Sequence, residues 1–531
     1  MTSSLARPCR WYTTLLVGLA AGFLIALSLP PFGFWPLAWI GLGGLVAALP
    51  GRPWRSRLIL GAGLGLGIYV PGLYWVHEFS IPGYIALIVI SGLYATAAVA
   101  LTPTGRFRYT AVAFPCLFVI SDWARDHFPL GGFPLGGVPL GQAAGPLRPV
   151  LRLGGSLALT GLTVVVGVAV AALARLAYRL WTRRPVTRLV GVATAGLVAA
   201  SALLPLAGAL SPSGAGGHLP PLTVALVQGG GPRGTRAIHT NPQVVFDRHL
   251  QASAAIRPPV DLVVWPEGVL QSHRNFRDTV DAADIAGLAQ SLHATMLVGV
   301  EQDVPVNRYL NEVVAWAPSG RIVGRYVKNH LVPFGEYIPD RALVSRFFNV
   351  SDVPYDAIPG HGPGFLRTPA APLAIMISYE VFFDSRARGG VRAGGQVLVV
   401  PTNTASYRST QVPTQEVAAD RMRAVETGRW LVQVTPTGYA TVVNPDGAVL
   451  ERSDLGQQVV VNATVGRRTG MTVFDDIGET PVLFLAAAGY LVVLAASVLR
   501  RRSGRRPEAG AGDAGEEAGR PLSGTFGAPS A

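Results

Sequence analysis

The stretch "LAIMISYEVFF", Leu373 to Phe383, is an apolar run that stops at a hydroxyl, a phenol and a carboxylate: Ser378, Tyr379 and Glu380. A short apolar run bounded by turn residues reads as a fully buried strand. The chain has six more of this kind: "LTVALVQ", "DLVVWPE", "ATMLVGV", "NEVVAWA", "GQVLVVPT" and "WLVQVTPT". Helical patterns, notably "TQEVAADRMRAVETGR", lie between several of them. Strands alternating with helices predict a layered α/β domain. It spans residues 211–479 and opens with the Pro/Gly/Ser linker "LSPSGAGGHLPP".

What lies on either side of that domain has another composition. Half of the 531 residues are hydrophobic and only 14% are charged, where soluble proteins carry about a quarter. Residues 1–210 hold apolar runs near 12–28, 35–50, 58–76, 82–102, 109–124, 155–178 and 189–209, and an eighth lies near 480–499. Each is close to the ~20 residues that cross a bilayer. The first run continues into "LSLPPFGFWP" without a small-residue cleavage site, so it reads as a retained helix rather than a signal peptide. The basic, then low-complexity stretch 500–531 reads as a cytoplasmic, disordered tail.

The net charge of +13 does not point to nucleic acid, because the arginines gather in short loops. After runs two, four, six and eight stand "GRPWRSR", "TGRFR", "RLAYRLWTRRPVTR" and "RRRSGRR", whereas "VHEFSIPG", after run three, has no arginine. By the positive-inside rule this places the N-terminus inside and the α/β domain outside.

Two residue counts bear on the chemistry. The cysteines are Cys9 and Cys116, so the α/β domain has none, and of 44 lysines and arginines only Lys328 is a lysine. A chain that writes every other cation as arginine uses a compact, titratable ammonium here. Strand ends in α/β sheets present side chains to pockets, and three such ends carry reactive groups: Glu267 after "DLVVWP", Lys328 and Glu336 in "GRYVKNHLVPFGEYIP", and Ser378 with Glu380. A carboxylate base, an ammonium and a nucleophile are the parts of acyl transfer through a covalent intermediate. Singly, each has an ordinary reading as a solvated loop carboxylate, a surface ion pair or a small core residue. No cluster of His and Cys at ligand spacing appears, so no metal or cofactor is expected.

The block "YVKNHLVPFGEYIP" resembles the K-x-H-L-V-P-F-G-E-Y motif of the apolipoprotein N-acyltransferases, membrane-embedded members of the nitrilase-like, carbon-nitrogen hydrolase superfamily. "VVWPE", "RMRAVETGR" and "TGYATVVNPDGAVL" fit the same family in order. The resemblance implies a polytopic α-helical membrane bundle of about eight spans plus an extracytoplasmic nitrilase-like α-β-β-α sandwich domain, in the bacterial cytoplasmic membrane. It implies transfer of a fatty acyl chain from a phospholipid donor to the α-amine of a diacylglyceryl-cysteine lipoprotein acceptor. Carried over by motif, Glu267 resembles the general base, Lys328 the oxyanion-stabilising lysine and Glu336 the supporting glutamate, while Tyr379 and Glu380 match the Tyr-Glu after the nucleophile.

The nucleophile's position is Ser378, where the family has cysteine. Two further departures are "VQGGGPRG", which lacks the family's Asn and nearby Trp, and "GGFPLGG", with Leu135 in place of Trp. The expected activity is therefore an acyltransferase with an acyl-enzyme on Ser378. The alternatives are an impaired homologue that binds lipoproteins or regulates a sister enzyme, and a membrane-anchored amidase or esterase.

Overall fold

The computed structural model describes residues 11–347, 349–351 and 353–503. The tail from 504 onward and Cys9 lie outside them.

A helix occupies each apolar run: α1 (Trp11–Ala26), α2 (Pro36–Ala48), α3 (Trp54–Gly72), α4 (Ile81–Leu101), α5 (Phe107–His127), α6 (Leu151–Trp181) and α7 (Arg188–Leu210). Among the described residues four helical stretches are long and apolar enough to cross a membrane: Ile81–Leu101, Arg148–Trp181, Arg188–Leu210 and Thr480–Arg500; α1 and α2 are shorter apolar helices. Small residues set the packing. An added Cβ on Gly18 or Gly22 would lie 2.3 Å from the carbonyls of Leu60 and Leu64, and one on Gly63 or Gly67 within 2.6 Å of those of Leu15 and Leu19. Two small-xxx-small faces thus bring α1 and α3 into backbone contact. α6 breaks at Gly154–Gly155, which leave helical geometry.

Among the described residues the rest of the chain forms α8 (Pro242–Ser253), α9 (Val280–Leu292), α10 (Arg341–Val344), α11 (Asp384–Arg392), α12 (Gln411–Thr427), α13 (Val473–Ile477) and α14 (Thr480–Ser503), interleaved with fourteen strands. The first seven strands are β1 (Leu222–Gln228), β2 (Leu262–Val264), β3 (Leu270–Ser272), β4 (Thr295–Val304), β5 (Arg308–Trp316), β6 (Ile322–Val327) and β7 (Asp356–Ala357). They are followed by β8 (Phe365–Arg367), β9 (Pro372–Ile375), β10 (Val397–Pro401), β11 (Leu431–Val434), β12 (Thr441–Val443), β13 (Val449–Arg452) and β14 (Val459–Val465). One sheet runs β14-β1-β2-β4-β5-β6, with β3 on β4 and β7 on β5; the other runs β13-β12-β11-β10-β9-β8. The centres β1-β2-β4 and β9-β10-β11 are parallel and the flanks antiparallel. This is the expected sandwich.

Each inner strand is apolar on both faces because each face is covered. Leu226, Val264 and Leu297 of the first sheet meet Ile375, Val399 and Val432 of the second in the inter-sheet core. Outside the first sheet, α8 and α9 close a core that holds Phe246, Trp265 and Ile285. Beyond the second sheet, Met376 and Val400 pack through Ala418 and Met422 of α12 into one cluster with Leu29, Leu73 and Leu151 of the helical bundle. Two glutamines of α12 seal that junction. Gln411 accepts from the Trp75 N–H (3.1 Å) and donates to Pro71 C=O (2.7 Å), and Gln415 accepts from Gly136 N–H (3.0 Å) and donates to Gly72 C=O (3.3 Å). Pro71 and Gly72 lie in the last turn of α3, where carbonyls lack an i+4 helical N–H, and the glutamine amides donate to them.

The run "LAIMISYE" departs from a simple strand. β9 ends at Ile375 and Ser378 opens a 3-10 turn, Ser378–Phe382. The Ile377 N–H, which a continuing strand would offer to its neighbour, instead donates to the Glu380 carboxylate at 2.8 Å.

Candidate active site

Lys328 follows β6 and is buried. Its ammonium donates to Glu267 Oε1 at 2.8 Å and to Glu336 Oε1 at 2.9 Å. Asn311 of β5 makes the same pair of contacts from its side-chain amide, at 2.7 and 2.8 Å. Glu336 is held further by the Val332 N–H at 2.7 Å. Two carboxylates are thus fastened by one ammonium and one amide, and an ammonium has a third proton to donate. Among the described residues no donor reaches Glu267 Oε2, which leaves one oxygen of that carboxylate able to take a proton. Burial pulls the Lys328 ammonium down, but Glu267 and Glu336 outweigh it and hold the lysine above its ordinary value. Glu336 is pushed up by burial and by Glu267, against the pull of Lys328.

Ser378 is joined to this group through Glu380, which is fully buried. Glu380 Oε1 accepts from the backbone N–H of Asn329 (2.9 Å) and His330 (3.1 Å), the two residues after Lys328, and from the Tyr326 hydroxyl (2.7 Å). Oε2 accepts from Ile377, the residue before Ser378. One carboxylate therefore stitches the lysine loop to the serine turn. Arg386, 3.5 Å from Oε1, balances its charge. Ser378 itself has φ 49°, a left-handed conformation that costs a non-glycine residue roughly 1–2 kcal/mol. A strained residue between a strand and a helical turn presents its side chain outward, as a nucleophile elbow does. Among the described residues no protein group hydrogen-bonds its hydroxyl, and no carbonyl accepts the N–H of Tyr379.

Tyr379 and His330 then reach the bundle. The Tyr379 hydroxyl donates to Gly132 C=O (3.0 Å), and His330 Nε2–H donates to Gly131 C=O (3.2 Å) while its ring stacks on Phe383 at 3.7 Å. Both carbonyls belong to the "GGFPLGG" connector after α5. Leu135, in the same connector, is buried.

Models of two families match the chain: the apolipoprotein N-acyltransferase N-terminal domain over residues 21–169 and carbon-nitrogen hydrolase over residues 223–470. The chain is 30% identical over 524 residues to an apolipoprotein N-acyltransferase of Azotobacter vinelandii, covering 92% of this chain and 96% of that one. A Mycolicibacterium smegmatis protein of the same name is 30% identical over 527 residues, with 92% and 87% covered. The chain belongs to the apolipoprotein N-acyltransferase family. It is an acyltransferase with a nitrilase-like α/β domain and apolar helices suited to a membrane.

All six residues singled out from the motifs of this family fall within one hydrogen-bonded neighbourhood: Glu267, Lys328 and Glu336 in direct contact, Ser378, Tyr379 and Glu380 on the adjoining turn. Sequence reasoning missed Asn311, whose signal is an amide inside an otherwise apolar strand, "RYLNEVVAW". It also missed Glu416 of α12. Burial, against the Thr402 hydroxyl (2.8 Å from Oε1) and with help from Glu267, pushes this carboxyl up to about 8; among the described residues Oε2 has no partner. Extending the β9–β10 register, in which Val399 faces Ile375, sets Thr402 level with Ser378.

Proposed function

We propose that the protein transfers a fatty acyl chain from a membrane phospholipid to the N-terminal α-amine of diacylglyceryl-cysteine apolipoproteins, through an acyl-enzyme on Ser378. The observation that carries this reading is the strained Ser378 turn, tied through Glu380 to the loop of the only lysine.

In the first half-reaction Ser378 Oγ attacks the donor's ester carbonyl and its proton passes to Glu267. The tetrahedral oxygen takes the third N–H of Lys328 and the unclaimed N–H of Tyr379. Collapse breaks the bond to the lysophospholipid oxygen, which leaves with the proton held by Glu267, and the acyl chain remains as a serine ester. In the second half the lipoprotein's α-amine attacks that ester and gives a proton to Glu267. Collapse forms the amide and returns Ser378 Oγ, which recovers the proton. Glu336 and Asn311 hold Glu267 and Lys328 in register, so the site needs no reorganisation as charge develops. A serine depends wholly on the adjacent base, whereas a cysteine is already partly thiolate at neutral pH; the chemistry thus leans on Glu267 more than in a cysteine enzyme.

The domain plan belongs to the same proposal: a bundle of about seven spans over 1–210, an outer catalytic domain over 211–479, a last span at 480–499 and a cytoplasmic tail from 500. The enzyme sits in the bacterial inner membrane with its α/β domain on the outer face. A second reading, lipoprotein binding without turnover, is favoured by one fact: the Ser378 hydroxyl has no hydrogen-bond partner among the described residues.

Purified protein, phospholipid and a diacylated lipopeptide separate the readings. Triacylated product that disappears in Ser378→Ala supports the acyl-enzyme, and undiminished product in Ser378→Ala sinks it. Retained lipopeptide binding with no product, and product gained in Ser378→Cys, establishes the binding reading. Free fatty acid without N-acyl product identifies a hydrolase.

A further inference from the structure

Far along the chain from the Ser378 site, the end of α6 and the turn into α7 form a concavity, of about 590 Å³, lined by Ala174, Arg175, Tyr178, Arg179, Arg184 and Pro185. Its charge is one-sided. No Asp or Glu occurs between Asp126 and Asp247 in the sequence. Among the described residues none of Arg175, Arg179 and Arg184 forms an ion pair.

The turn is built to gather these three. The Arg184 N–H donates to Arg179 C=O (2.8 Å) and the Arg183 N–H to Leu180 C=O (3.1 Å), the paired bonds of a Schellman helix end. The left-handed residue such an end requires, ordinarily glycine, is Arg183 at φ 51°. The chain therefore doubles back, and the Arg184 guanidinium comes over the Tyr178 ring, 5.6 Å from its centroid. Arg175 lies 4.6 Å over the ring of Phe107 at the start of α5, and Arg179 donates to Pro185 C=O at 3.2 Å. Aromatic rings and a carbonyl thus hold guanidiniums that no carboxylate neutralises. Beside them Leu180 is 63% and Trp181 82% exposed, apolar surface suited to acyl chains.

We propose that this cavity binds the phosphodiester headgroup of an anionic phospholipid, with Leu180 and Trp181 against its chains. Guanidinium forks match phosphate oxygens in bidentate geometry, and basic pockets at helix ends take anionic headgroups. The positive-inside rule accounts for arginines in this turn, but it would be served as well by arginines spread around it. What it does not require is the convergence of three on one cavity.

The site makes no contact with the acyl-transfer residues, so its test is independent of them. The full-length protein is placed in nanodiscs of mixed phosphatidylglycerol and phosphatidylcholine, and the lipid retained after gentle release is read by native mass spectrometry. Wild type is expected to retain phosphatidylglycerol about tenfold over its share of the mixture. R175Q/R179Q/R184Q is expected to lose that enrichment, and R55Q/R188Q, which removes two arginines of the basic loops that neither line the cavity nor form its turn, to keep it. Near-native melting temperatures of both variants show that they fold. Equal retention of the two lipids by wild type overturns the proposal. So does an equal loss in both variants, which would mean diffuse charge, or displacement of the lipid by excess inorganic phosphate, which would mean a free-anion site.

Discussion

At the scale of single residues, the choice of lysine at position 328 has a geometric reason. The ammonium serves two carboxylates at 2.8 and 2.9 Å while buried, and it keeps one proton for a developing oxyanion. A guanidinium is planar and larger and cannot replace it in that space. Lys328→Arg is therefore expected to lower the rate of acyl-enzyme formation by about 100-fold or more, measured in a single turnover with a chromogenic phospholipid analogue. Lys328→Met should also cost about 3–5 kcal/mol of stability, since two buried carboxylates lose their counter-charge. Glu416 carries the reverse signature. Its folded-state pKa is raised to about 8 from 4.5 by burial, so its contribution to stability is present below about 4.5 and is lost as pH rises toward 8. Glu416→Gln keeps the Thr402 contact without ionising. Its stability relative to wild type should improve by up to about 1.4 kcal/mol per pH unit across that window, read from melting curves between pH 4.5 and 8.5; a flat difference would refute the shift.

At the scale of elements, α12 connects the two halves of the molecule. One side of it lies on the second sheet beside the serine turn, and Gln411 and Gln415, one turn apart, satisfy backbone groups at the end of α3 and in the 131–137 connector. Among the described residues, Q411L/Q415L leaves the Trp75 and Gly136 N–H groups without partners, at about 1–3 kcal/mol each. It should lower the melting temperature by several degrees and speed proteolysis of the 211–221 linker, with β-sheet content unchanged by circular dichroism. The glycine faces of α1 and α3 obey the same logic, and Gly63→Leu is expected to destabilise the bundle because its side chain would meet the Leu15 carbonyl.

These elements also show what a sequence reveals. Apolar length and Pro and Gly punctuation expose helices and inner strands directly, because the inner strands are covered on both faces by the fold and the long helices, α7 only 6% buried, are apolar on the faces the fold leaves open. The α12 clamp and the Asn311 amide stay hidden, since their meaning lies in partners tens to hundreds of positions away. The 3-10 turn at Ser378 escaped for a related reason: the signal that ends β9 is a carboxylate two residues beyond the serine, acting backward on the Ile377 N–H.

At the scale of the whole molecule, the proposed orientation puts the acyl-transfer residues and the arginine-lined cavity on opposite faces. The α/β domain carries the acyl-transfer residues, and arginines crowd the loops that the positive-inside rule assigns to the other side. The asymmetry can be read from two engineered cysteines in a C9S/C116S background, which has no other thiol. Val306, 88% exposed at the turn between β4 and β5, stands on the domain. Gly105, in the turn between α4 and α5, is exposed and an added side chain there meets nothing within 4 Å. A membrane-impermeant maleimide applied to intact spheroplasts should label Val306→Cys fully and leave Gly105→Cys unlabelled until the membrane is opened. The reverse pattern would invert the topology and put the serine on the side where arginine-rich loops are expected. Equal labelling of both in sealed cells would mean that α5, α6 and α7 do not put Gly105 and Val306 on opposite faces, and would remove the membrane from between the acyl-transfer site and the lipid cavity.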